Sequence, residues 1–236
     1  MLGNNFIALI ITFVVSLIWL RINDTLAQRG WISSQLSRKI IHIGTGPLYV
    51  ACWLLFNDAA LSRYLAALVP LVITIQFFLI GAGVIHDEAA VQAMSRSGDR
   101  REILRGPLFY GILFVILTIT YWKDSPIGIV ALMLMCGGDG LAEILGRKFG
   151  TLKIPWNHDK SLIGSTGMFL GGWVLSGIIL ELYVAVGIFQ GPLIIYLAPL
   201  TIIALAGMLV ESLPLHDLDN ITVTLTSVVL GHLLFR

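Results

Sequence analysis

Two acidic residues, Asp139 and Glu143, stand four apart in an apolar run and share one face of any helix built there. If that helix ends near Leu145, Asp139 lies about 9 Å from its end at the rise of 1.5 Å per residue. A carboxylate at that depth costs several kcal/mol unless it is paired or meets a cation, so such a residue marks function by default. Arg147, Lys148, Lys153 and Lys160 follow in the same stretch, 137–160. A second acidic element, 211–222, carries Glu211, Asp217 and Asp219, with Asn220 next in line. Hard divalent cations, Mg²⁺ (or Mn²⁺), take carboxylate oxygens of this kind, and arginine and lysine bind phosphate oxygens. Acids beside clustered cations suit a metal–phosphate complex, with Asp139, Glu143, Asp217 and Asp219 as candidate metal ligands.

Plainer readings compete at several of these positions. Glu143 can pair with Arg147 at i+4, whereas Asp139 has no such local partner and stands in a Gly-Gly-Asp-Gly run that admits close approach. Helix capping accounts for one of the acids near Asp219 but not for all, and Asn220 can cap the last helix. Arg38, His42 and Thr45 fall on one helical face. Arg38 and Lys39 alone would read as snorkelling flank charges. His42, a turn inside an apolar segment beside Gly44, Gly46 and Pro47, makes a phosphate-binding mouth an even alternative. Arg96, Arg100 and Arg101 read as a solvated interfacial helix capped by Ser97 or Asp99; Arg105, directly before Gly106-Pro107, is the better phosphate candidate. Lys160 and Ser161 open an apolar segment, where free N–H groups and the helix dipole favour anions. Gly164, Gly167 and Gly171 supply small-residue spacing for tight helix contact. Cys52 and Cys136 are isolated in apolar runs and read as packing residues.

The elements that must position these groups are membrane helices. Of 236 residues, 57% are hydrophobic and 12% charged, about half the charge of a soluble domain. The net charge of +1 says nothing about partners. Apolar blocks cover 6–20, 40–56, 61–84, 107–122, 126–145, 162–189, 192–210 and 221–235. The expected fold is all-α: a polytopic membrane helix bundle of about seven or eight transmembrane helices. The first block lacks a basic flank and a small-residue cleavage site, so it reads as retained. Pro107, Pro126 and Pro192 each open a block, where a missing N–H costs nothing, and Gly30 can end the first helix. Of the 15 basic residues, only Arg63, Lys123 and Arg236 lie off the odd-numbered loops. The positive-inside rule then places those loops in the cytoplasm and the N-terminus outside. The acidic element 211–222 falls on the same side, so basic and acidic loops should converge on one face.

The ordered motifs Arg38-Lys39-Ile-Ile-His42, Arg105-Gly-Pro107, Gly138-Asp139-Gly140-Leu-Ala-Glu143, Gly146-Arg147, Lys160-Ser161 with Gly164-Ser165, and Leu218-Asp219-Asn220-Ile-Thr222 resemble the phytol/farnesol kinase branch of the polyprenol (dolichol) kinase family. The resemblance runs from about Ser37 to Leu234. It departs from the family pattern at His158 and Thr224, where proline is common. The resemblance implies a single integral-membrane kinase domain over 1–236. It implies phosphorylation of the hydroxyl of a long isoprenoid alcohol (phytol, geranylgeraniol or farnesol) by CTP, with UTP a second donor. The product would serve tocopherol and related lipid synthesis in phototrophs, in a bacterial inner or thylakoid membrane. Partners would be membrane lipid, the alcohol and a nucleoside triphosphate, and no nucleic acid. Under this reading Asp139 and Asp219 hold Mg²⁺ on the nucleotide, supported by Glu143 and Asp217. Arg38, Lys39, Arg105, Arg147, Lys148, Lys160, Ser161 and Asn220 contact phosphate or nucleotide. His42 or a free carboxylate orients the attacking hydroxyl.

Two rivals differ in chemistry. A cytidylyltransferase acting on a lipid phosphate would use similar groups but attack the α-phosphorus. A small-molecule transporter would place ionisable groups at the midplane of paired, broken helices, whereas most charges here sit at block ends. No P-loop, GxGxxG, HExxH, GxSxG or kinase catalytic-loop motif occurs.

Overall fold

A computed structural model describes residues 3–95, 98–215 and 218–235, leaving aside the side chains of 24, 34, 92 and 93. Asp217, Arg96 and Ser97 lie outside the described residues. The helices are α1 Asn5–Gln28, α2 Ser34–Cys52, α3 Ser62–Ala82, α4 Glu88–Met94, α5 Gly106–Tyr121, α6 Pro126–Met133, α7 Asp139–Phe149, α8 Leu162–Ala185, α9 Ile194–Glu211 and α10 Asp219–Leu234. Between α7 and α8 two short strands, β1 Lys153–Ile154 and β2 Asn157–Ser161, pair antiparallel. Among the described residues, six helical segments are long and apolar enough to cross a membrane: Asn5–Gln28, Ser62–Ala82, Arg100–Tyr121, Pro126–Phe149, Leu162–Ala185 and Ile194–Glu211. The fold is an all-α polytopic helix bundle. The other two expected blocks also form helices, but α2 carries Arg38 and Lys39, and α10 has 16 residues. That length gives about 24 Å of helix, less than the ~30 Å of bilayer hydrocarbon.

The chain forms two compact units. The first comprises Met1–Ile41 and Cys52–Thr120, the second His42–Ala51 and Tyr121–Arg236. In the first, Asn5 Nδ2 donates to Asn57 Oδ1 and Ser62 Oγ, each at 2.9 Å, tying the start of α1 to that of α3. α1 ends where Gly30 takes φ +71°, a left-handed conformation that costs glycine little. Asp99 caps a 3₁₀ turn, Arg100–Leu104, by accepting from the Arg101 N–H. Arg100 is not merely solvated: its Nη1 donates to the Gly81 carbonyl at 2.7 Å, at the C-terminal end of α3 where carbonyls and dipole favour a cation.

The second unit is built around the segment from α6 to α7. Its residues from Ile129 to Cys136 are wholly buried. Ser125 caps α6 and Pro126 is its first residue, as the missing N–H allows. A π turn, Leu134–Gly138, joins α6 to α7, so the helix expected to stop near Leu145 runs on to Phe149. Asp139 is therefore ten residues from its end, about 15 Å at 1.5 Å per residue. The glycine spacing in α8 does what its size suggests. A Cβ on Gly171 would overlap the Gly137 carbonyl oxygen, and one on Gly167 would stand 2.9 Å from the Leu141 carbonyl oxygen. α8 thus lies against the π turn and α7 with almost no side chain between them. Cys136 packs against Gly46, in keeping with the packing role read for it.

Three local expectations change. Arg38 and Lys39 lie within α2 rather than in a loop, because the helix begins at Ser34. Asn220 does not cap α10: Leu218 stands at the cap with no side-chain bond, and Asp219 and Asn220 are already helical. The strand pair is absent from the all-α expectation.

Candidate functional site

The site in the second unit begins at the π turn. There the backbone ladder shifts register, and the Asp139 N–H reaches the Leu134 carbonyl five residues back. Turns of this kind recur at functional positions because they re-aim the side chains that follow. His42 on α2 faces this turn. Its Nε2 lies 3.1 Å from the Met135 carbonyl oxygen and 3.3 Å from Asp139 Oδ2. Both partners only accept, so Nε2 carries the proton and donates. His42 therefore orients Asp139 through an N–H, and that nitrogen is not available as a base. Gly140 makes the approach possible, since a Cβ there would overlap the Ile43 side chain.

The strand pair places the other half. Pro155 and Trp156 form its two-residue turn, between Ile154 and its partner Asn157. Trp156 Nε1 donates to Ser212 Oγ and buried Asn157 Nδ2 to the Ser212 carbonyl, both at 3.2 Å. This fastens the turn to the chain just beyond α9. At the end of β2, Ser161 is buried and caps α8 by accepting from the Gly164 N–H at 3.2 Å. Between these anchors Lys160 is presented to two carboxylates. Its Nζ donates to Glu211 Oε1 and, at 2.9 Å, to Asp219 Oδ2. Burial alone would lower the pKa of this ammonium, but the charges of Glu211 and Asp219 and their hydrogen bonds outweigh it and raise the pKa well above the ordinary lysine value. Glu211 also feels the charges of Asp139 and Asp219. Glu211 is thus within electrostatic reach of both Asp139 and Asp219, and Lys160 bridges Glu211 to Asp219.

The remaining candidates fall elsewhere. Glu143 pairs with Arg147 at 2.9 Å, the i+4 alternative that the sequence offered. Lys148 lies over the Phe149 ring, 5.2 Å from its centroid. Both basic residues are exposed in the last turn of α7, where the dipole favours cations. Asn220 occupies the first turn of α10 beside Asp219. Arg38, Lys39 and Arg105 belong to the first unit, where Arg38 Nη1 donates to the Ser95 carbonyl at 3.1 Å. Among the described residues no group of three or more His, Cys, Asp or Glu side chains forms a metal cage. Glu211 is the residue that sequence reasoning left out of the site. Its signal was present: an acid that closes an apolar segment and is buried there.

Fold and site together define a polytopic membrane protein in which a lysine joins two carboxylates at the ends of apolar helices. Among its relatives is the probable chloroplastic phytol kinase of Triticum aestivum, 41% identical over 214 residues, covering 90% of this chain and 71% of the relative. The chloroplastic farnesol kinase of Arabidopsis thaliana is 40% identical over 230 residues, covering 95% and 74%. Phytol kinase 1 of the same plant is 37% identical over 214 residues, covering 90% and 70%. The chain belongs to this phytol and farnesol kinase family. No family model matches it, and neither does any solved structure.

Proposed function

We propose that this protein transfers the γ-phosphoryl group of CTP, with UTP as a second donor, to the hydroxyl of a long-chain isoprenoid alcohol such as phytol, geranylgeraniol or farnesol. The relatives named phytol kinase and farnesol kinase support the reaction class. The observation that carries the reading is Lys160 held between Glu211, at the end of α9, and Asp219, at the start of α10. An isoprenoid alcohol dissolves in the bilayer, while a nucleotide stays in water. The two meet only where a membrane helix ends.

Phosphoryl transfer asks a protein for positioning and charge neutralisation more than for covalent chemistry. Three carboxylates against one ammonium leave the cluster negative, which suits a divalent cation rather than bare phosphate. Mg²⁺ is commonly held by one or two carboxylates and the substrate's own phosphates. Asp139 and Asp219, each a quarter exposed, are the residues that would hold it. When bound, the ion would neutralise charge building on the transferred phosphoryl group. His42 holds the Asp139 carboxylate in place. Lys160 supplies positive charge to phosphate oxygens, and Arg147, Lys148, Arg38, Lys39 and Arg105 are further candidates on the sequence pattern alone. The distribution of basic loops supports a nucleotide side that is cytoplasmic or its organellar equivalent, with the N-terminus opposite. The chloroplastic relatives support a photosynthetic membrane as the location.

The test is purified protein with each alcohol, a panel of nucleoside triphosphates and Mg²⁺. Lipid monophosphate formed with CTP supports the reading. Release of pyrophosphate from CTP and a lipid phosphate, with no lipid phosphorylation, would mean a cytidylyltransferase instead.

A further inference from the structure

Glu211 is the last residue of α9, and its side chain is 4% exposed. Oε1 accepts from Lys160, while Oε2 has no hydrogen-bond partner among the described residues. A buried carboxylate with one unsatisfied oxygen is costly, and a native fold that keeps one calls for an explanation. Replacing the pair by apolar residues would often be neutral or stabilising, so stability alone does not explain it. The other partner of Lys160 differs. Asp219 and Lys160 are each about a quarter exposed, at 25% and 26%, and open to a ligand. Lys160 thus has one partner enclosed by protein and one that an incoming group can reach. Two of its three N–H donors go to these carboxylates, leaving a third.

Resting on the kinase reading above, we propose that Glu211 is the positioning residue of the nucleotide site. It anchors Lys160 Nζ while Asp219 exchanges from Lys160 to the incoming metal–nucleotide. The donors of Lys160 that this leaves then turn to a phosphate oxygen. Glu211 does not touch the nucleotide. Its charge and its enclosure keep the lysine from following Asp219 or swinging into solvent. The asymmetry of the two carboxylates is what allows one to leave and the other to stay.

A double-mutant cycle on the full-length protein in lipid nanodiscs tests this, with CTP·Mg²⁺ binding read by calorimetry and turnover measured beside it. Glu211→Gln keeps the shape and removes the charge. It should weaken CTP·Mg²⁺ binding about tenfold or more while leaving the KM for the alcohol unchanged. In a Lys160→Ala background the same substitution should cost nothing further, because Glu211 acts through that lysine. Glu211→Asp, which keeps the charge at shorter reach, should restore part of the binding, and it replaces Glu211→Gln in the cycle if the amide variant does not fold. Wild-type CTP·Mg²⁺ affinity in Glu211→Gln, with the parent active, sinks the positioning role alone. So does an equal loss in the Lys160→Ala background, which would make Glu211 a purely structural residue. A parent protein that neither binds nor turns over any nucleoside triphosphate overturns the kinase reading, and this inference with it.

Discussion

The His42–Asp139 contact sets the direction of one acid within a membrane-spanning segment. Nε2 donates to both the Met135 carbonyl and Asp139 Oδ2. Asp139→Asn retains the shape and loses the charge, so it should insert and melt like the parent yet lose about 10²–10³-fold in turnover. Near-parental turnover would remove Asp139 from the chemistry. Lys160 yields a pH prediction. Its folded pKa is raised above the ~10.4 of a free lysine, so its ion pairs contribute fully below that value and fade only as pH climbs through the raised one. Between pH 6 and 9 the KM for CTP should show no limb that Lys160→Arg shifts, and such a shift would contradict the pairing. Asp139, His42, Lys160 and Asp219 were legible in the sequence because polar groups inside or beside apolar runs are expensive. Glu211 was harder to see because an acid at the end of a run looks like an ordinary flank. Glu143 shows the converse, since its i+4 partner Arg147 claims it locally.

Among the elements, the strand pair and α8 do the positioning. Asn157 is buried and joined to the Ser212 carbonyl. Asn157→Ala should cost about 1–3 kcal/mol by leaving that acceptor unsatisfied, and it should raise the KM for CTP as Lys160 loses its support. A variant that loses thermal stability with an unchanged KM would separate the strand pair from the site. Gly171 admits the Gly137 backbone. Gly171→Leu should destabilise the packing of α8 by about 1–3 kcal/mol or more, seen as a lower unfolding midpoint in detergent. Helices and their glycine seam could be read from apolar blocks and small-residue spacing. The strand pair could not, because two and five residues in a polar connection leave no period to detect. The π turn was equally hidden: an inserted residue changes the ladder without changing the hydrophobic pattern. Asn220 was misjudged as a cap because α10 starts two residues earlier than that cap requires, and a cap is decided by backbone angle as well as residue type.

For the molecule as a whole, apolar blocks announced a polytopic bundle, and each block holds a helix, with six helical segments among the described residues long and apolar enough to cross a bilayer. Orientation rests on charge. The native thiols Cys52 and Cys136 are buried, so a single exposed cysteine can report sidedness. A membrane-impermeant maleimide added from the nucleotide side should label Lys153→Cys and leave Asp124→Cys untouched; the reverse pattern would invert the topology. The central claim, phosphoryl transfer from CTP to a membrane-dissolved alcohol, is tested most directly by following the label of [γ-³²P]CTP with phytol, Mg²⁺ and the purified protein. The account predicts labelled phytyl monophosphate with CDP as the other product. Label recovered only in pyrophosphate or inorganic phosphate, with the alcohol unmodified, would contradict it.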